Sequence, residues 1–181
     1  MMQASAPSGP VRSALPYDAR QIANFILELA WGRGESVTNL KLQKLLYFSF
    51  GFCSVQLNEP LFHNPIEAWK FGPVVRVVWE QFTRYAKSPI ENCATYFDFA
   101  SGKRTVADPR IDQNSAALVT SVYEDLHHLA PWTLSDLTHE PGTSWHEVWT
   151  APEGTVHLDG RISADRIRRE FELRLSSAIR A

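Results

Sequence analysis

The side chains best equipped for chemistry in this chain are His139, flanked by Asp136 and Glu140, and the lysines Lys41, Lys44 and Lys70. A histidine near two carboxylates could act as a general base in a hydrolase, if a pocket brought the groups together beside a nucleophile. The nucleophile is missing from the pattern. No serine sits in a Gly-x-Ser-x-Gly turn, and Cys53 falls in an apolar helical pattern that would bury its thiol unactivated. A metal fares no better. His139 and His146 are seven apart, His127 and His128 are adjacent, His63 and His157 are isolated, and no HExxH or CxxC pair occurs. The sequence predicts no catalytic set, no metal and no cofactor.

Two blocks set polar groups inside otherwise apolar runs. One is Thr38-Asn39-Leu40-Lys41-Leu42-Gln43-Lys44-Leu45-Leu46-Tyr47-Phe48, the other Ile66-Glu67-Ala68-Trp69-Lys70-Phe71-Gly72-Pro73-Val74-Val75. Burying such a group unpaired costs roughly 1–3 kcal/mol, more if it is charged. These side chains are therefore either paired inside the fold or part of a surface that reads a partner. Lys41 and Lys44 fit two readings: solvated tips over apolar stems, or a basic spot bordering a partner groove. Glu67 and Lys70 read as an ion pair holding a hairpin against the core. A third block, Trp132 to His139 followed by Ser144-Trp145, reads as a capped turn with aromatics folded onto it. Large amphipathic side chains of this kind are also enriched where partners bind. The candidate partner-contact residues are Lys41, Lys44, Tyr47, Trp69, Lys70, Phe71, His139 and Trp145.

The elements that must position these groups are mostly helical. Asp18 and Gln21 form a capping-box pattern ahead of Ile22, Phe25, Ile26, Leu29 and Ala30, predicting a helix over 18–31. Thr38 or Asn39 caps a second helix to about Val55. It is apolar almost all round and so belongs at the centre. Residues 66–71 predict a short strand stopped by Gly72-Pro73, with Pro73 opening a helix over 74–85. A hairpin is expected from 94–99 and 103–107. Asp112 or Asn114 opens a further helix, Thr133 caps a short turn through Leu137, Ser144 and Glu147 form another capping box, and Ser163 caps the last helix. The sum is a mainly α, compact single domain of six or seven helices with a small strand or hairpin element, over residues 17–181. Residues 1–16, rich in Ala, Ser, Pro and Gly, read as a flexible tail.

Composition narrows the class. Of 181 residues 44% are hydrophobic and six are Trp, which indicates a packed core. A net charge of −2 does not favour nucleic acid or an anionic membrane. Residues 161–181 do hold six Arg against Asp165, Glu170 and Glu172, and this is the sole support for a DNA-binding regulator of its own operon. No apolar run suffices to span a bilayer and residues 1–16 lack the apolar centre of a secretion signal, so a soluble, cytoplasmic protein is expected.

Together the blocks resemble the Panacea domain, in particular the SocA-like antitoxins of bacterial toxin–antitoxin systems. The resemblance rests on Asn39 to Tyr47, on Glu67 to Val75, and on Leu134-Ser135-Asp136-Leu137-Thr138-His139 with Trp145, and covers about residues 18–180. It departs at one place, where Ser144 precedes the Trp and the family usually has Pro. The resemblance implies a helical domain that neutralises a cognate toxin protein by direct contact. It further implies an adaptor that presents that toxin to the ClpXP protease.

Overall fold

The computed structural model describes residues 15–151 and 160–178. The described residues form seven helices, one of them central: α1 (Ala19–Gly32), α2 (Asn39–Gln56), α3 (Arg76–Phe82), α4 (Gln113–Leu126), α5 (Pro131–His139), α6 (Ser144–Trp149) and α7 (Ala164–Ala178). Five short strands accompany them: β1 (Ile66–Trp69), β2 (Gly72–Val74), β3 (Thr95–Asp98), β4 (Lys103–Val106) and β5 (Arg161–Ile162). The expected mainly helical class holds, and the expected tail lies outside the described residues apart from Leu15 and Pro16.

The centre is α2, thirteen of whose eighteen residues are buried. Helices α1, α4, α5 and α7 pack around it because an all-round apolar helix must be covered on every side. Its Gly51 lets α7 approach closely, since a Cβ there would overlap the Phe171 ring. Cys53, on the same helix, is fully buried, and desolvation pushes its thiol up to about 12.

Both predicted N-termini of α1 and α2 are present. Asp18 and Gln21 close a reciprocal capping box, and the Thr38 side chain accepts from the Lys41 N–H. Three boundaries differ. Pro73 does not open a helix: it pairs with Ala68 in β2, and α3 starts at Arg76 with Val75 as its N-cap. A proline's fixed φ suits either state, and the ladder chose the extended one. Pro131, not Thr133, begins α5, its ring already set for a first helical turn. Thr143, not Ser144, caps α6, accepting from the His146 N–H at 3.2 Å.

The strands form two sheets. The antiparallel order β2–β1–β5 joins the 66–74 hairpin to Arg161–Ile162, a pairing across most of the chain that local pattern does not show. β3 and β4 make the second hairpin where it was expected, with Thr95 opposite Val106 and Phe97 opposite Arg104.

Candidate functional site

The polar residues of α2 face the segment that leaves β2. Asn39 Nδ2 donates to the Trp79 carbonyl at 3.0 Å, and Gln43 Nε2 donates to Asn39 Oδ1 at 3.2 Å. Gln43 Oε1 accepts the Val75 N–H at 2.8 Å, and Lys44 Nζ donates to the Pro73 carbonyl at 3.1 Å. These groups thus bond to backbone of β2, of the Val75 N-cap and of α3. Lys44 has 0% relative exposure, and burial alone lowers its ammonium to about 7.

Below it, Tyr47 donates to Glu170 Oε2 at 2.5 Å, and the Ser144 N–H reaches the same oxygen at 2.8 Å, as does the Ser144 hydroxyl. Arg174 Nε holds the other oxygen of Glu170 at 2.9 Å. Desolvation pushes the Tyr47 phenol well above its ordinary range, with the Glu170 charge adding to the effect.

The three sequence blocks meet on the backbone of one hairpin. Its two-residue turn, Lys70-Phe71, links Trp69 to Gly72. Trp145 Nε1 donates to the Trp69 carbonyl at 2.9 Å, Ser135 Oγ to the Phe71 carbonyl at 2.7 Å, and Lys44 Nζ to that of Pro73. Gly72 makes this possible. Its φ is +101°, and a Cβ would collide with Lys44 Nζ and lie 2.7 Å from Thr138 Oγ1. The turn is held from three sides and presents Lys70 and Phe71 outward. Phe71, 49% exposed, stands edge-on to Trp132, 54% exposed, with ring centroids 5.5 Å apart. Lys70 Nζ sits 5.4 Å from the Phe71 ring centroid.

The candidate residues therefore separate into two sets. Lys70 and Phe71 are exposed, while Lys41, Trp69 and His139 are half-buried. Lys44, Tyr47 and Trp145 are buried, so they hold the surface and do not form it. Neither reading of Lys44 as a solvated or groove-bordering cation survives its burial. Lys41 is not a free tip either, because its ammonium donates to the His127 carbonyl. The Glu67–Lys70 ion pair is also absent. Glu67 instead accepts from Arg76 at 3.0 and 2.6 Å and from Trp69 Nε1 at 2.8 Å, because Lys70 belongs to the turn. Trp132 joins the surface although sequence reasoning left it out of the contact set. Its position at the start of α5, opposite an aromatic turn, is not visible without the fold.

His139 stacks on Trp145 with centroids 3.9 Å apart, and its Nε2 is buried without a hydrogen bond. Desolvation lowers its pKa, helped by Lys44 and opposed by Asp136, so the ring is favoured in its neutral form. Among the described residues no group of three or more His, Cys, Asp and Glu could hold a metal. Cations of α7 are engaged by acids: Arg166 by Glu147, Arg168 by Glu172 and Arg174 by Glu170. No helix of the described residues is long and apolar enough to cross a membrane.

The family model "Antitoxin SocA-like, Panacea domain" matches residues 42–146, a span that contains the hairpin and nearly all of its clamps. The chain belongs to the SocA-like antitoxin family. It is 33% identical to antitoxin SocA of Caulobacter vibrioides (strain NA1000 / CB15N) over 154 residues, 85% of this chain and 82% of that protein. No solved structure matches it significantly. The three blocks that carry the family likeness are therefore chiefly structural: their polar groups hold one hairpin in place from three directions.

Proposed function

We propose that this protein is the antitoxin of a toxin–antitoxin pair and neutralises its toxin by direct contact through the Lys70–Phe71–Trp132 surface. The carrying observation is an exposed aromatic pair, Phe71 on a turn clamped at the alternate carbonyls of Trp69, Phe71 and Pro73, and Trp132 at the start of α5. Exposed aromatics cost solvation free energy, and on a rigid support they lose little conformational entropy when a partner covers them. The cation of Lys70 beside them adds a charged rim. Family membership supports the antitoxin role. A binding function is also supported by how fully the motif's polar groups are engaged with backbone, leaving none of them poised as a nucleophile.

The same reading includes an adaptor step, in which the bound toxin is presented to ClpXP and degraded while the antitoxin is spared. Its support is the likeness to SocA-like antitoxins. Co-expression with the product of the adjacent reading frame, followed by size exclusion, tests the first step. A joint peak is expected, and two separate peaks at micromolar concentration would refute direct neutralisation. For the second step, a reconstituted ClpXP reaction should shorten the toxin's half-life when this protein is added; an unchanged half-life removes the adaptor step alone.

A further inference from the structure

Of the eight large exposed hydrophobics among the described residues, Tyr96, Phe97, Phe99 and Val106 lie on the β3–β4 hairpin, which none of the three sequence blocks includes. Strand register places Phe97 opposite Arg104 and Thr95 opposite Val106, and the alternation of a strand puts Thr95, Phe97, Arg104 and Val106 on one face, with Tyr96 on the other. That face closes a cleft of about 530 Å³ against Gln81 and Arg84, with Thr95, Arg104 and Val106 in its lining. Phe97 and Phe99, in edge-on contact at 5.1 Å, stand at the hairpin end.

The cleft's charge is distinctive. Seven arginines of the described residues hold carboxylates: Arg20, Arg33, Arg76, Arg110, Arg166, Arg168 and Arg174. Arg84 and Arg104 do not. Arg84 donates to the Tyr85 hydroxyl at 3.2 Å and lies 5.0 Å from that ring's centroid, and Arg104 donates to Thr95 Oγ1 at 3.2 Å. Two guanidinium forks on one cleft without a carboxylate partner suit carboxylates, which they bind in bidentate fashion. Glu80 on the wall and a net charge of −2 count against a polyanion such as nucleic acid. A peptide segment offers separate carboxylates together with apolar side chains for Phe97 and Val106. Among the described residues the hairpin pairs with no other strand, which leaves edge backbone open to an extended chain.

Arg84 belongs to the turn whose next residues, Ala86 and Lys87, line a groove with Trp132. The cleft and the aromatic surface thus adjoin across one turn. We infer that the Arg84–Arg104 cleft receives an extended acidic segment of the same protein that the Phe71–Trp132 surface binds. This inference rests on the antitoxin reading for the identity of that protein.

The test uses the full chain and the product of the adjacent reading frame, titrated at about 50 and about 300 mM salt. The double variant Arg84→Glu, Arg104→Glu should bind about tenfold more weakly at low salt and lose most of the wild type's salt dependence. Equal affinity at both salts, with an unchanged melting curve, overturns the inference. Should the double variant melt early, the glutamine pair Arg84→Gln, Arg104→Gln must show the same direction of change, and its absence likewise overturns it. If the wild type forms no complex at all, the antitoxin reading fails by itself. A fluorescent peptide alternating Glu with Phe or Leu then decides the cleft: binding that the double variant loses upholds it, while no binding, or tighter binding of a single-stranded oligonucleotide, overturns it.

Discussion

Lys44 Nζ lies 3.1 Å from the carbonyl oxygen of Pro73, twenty-nine residues further along the chain. That contact joins the central helix to the hairpin that carries Phe71 of the exposed aromatic pair. It places a cation where nothing but a carbonyl dipole offsets its desolvation, and the ammonium is lowered to about 7.

Lys44 should leave a mark on the pH dependence of stability. Its ordinary value is 10.5, so between about pH 7 and 10.5 the unfolded chain keeps a proton that the native state releases. Stability then rises with pH through this window, by at most about 1.4 kcal/mol per unit, and falls as pH drops toward 7. Urea unfolding at several pH values from 7 to 9 checks it. The slope of wild type minus Lys44→Met should be positive, and a difference independent of pH would refute a lowered ammonium.

Gly72→Ala is expected to be severe. The substitution forces a side chain into φ +101° and against Lys44 Nζ and Thr138 Oγ1. Strain and overlap together should cost about 3 kcal/mol or more, read from denaturant midpoints. A loss under about 1 kcal/mol would mean the hairpin is free to move off its clamps.

Phe71→Ser with Trp132→Ala should separate stability from binding. Both side chains are about half exposed, so losing their mutual contact should cost about 1 kcal/mol of folding stability. Toxin affinity, by calorimetry, should fall by at least about thirtyfold, the size of a hot-spot pair. Retained affinity would move the toxin surface elsewhere.

Tyr47→Phe removes one of the donors on Glu170 Oε2 and leaves that buried carboxylate short of a partner. A loss of roughly 1–3 kcal/mol is expected from chemical denaturation, with toxin affinity unchanged because Tyr47 is 1% exposed. Unchanged stability would show that Ser144 and Arg174 suffice for Glu170.

The sequence by itself determined the helical class, the central place of α2, the cap at Asp18, a cap at Thr38 or Asn39, and a hairpin from 94–99 and 103–107. Each follows from periodicity, composition or local capping chemistry within a few residues. It also showed that polar groups such as Asn39, Gln43, Lys44 and Tyr47 on an apolar helix had to be either paired inside the fold or part of a surface, because burying them unpaired is costly. Which partners they have was decided by the tertiary structure. Pro73, Val75, Trp79 and Glu170 are distant in sequence, and nothing local in α2 specifies them. The same holds for the surface: Phe71 and Trp132 meet because Ser135 anchors the turn to α5. Burial likewise assigned Lys44 and Lys70 their different environments, one against backbone and one toward solvent. Exposure is a property of what surrounds a residue in three dimensions, and the identity of a side chain does not set it.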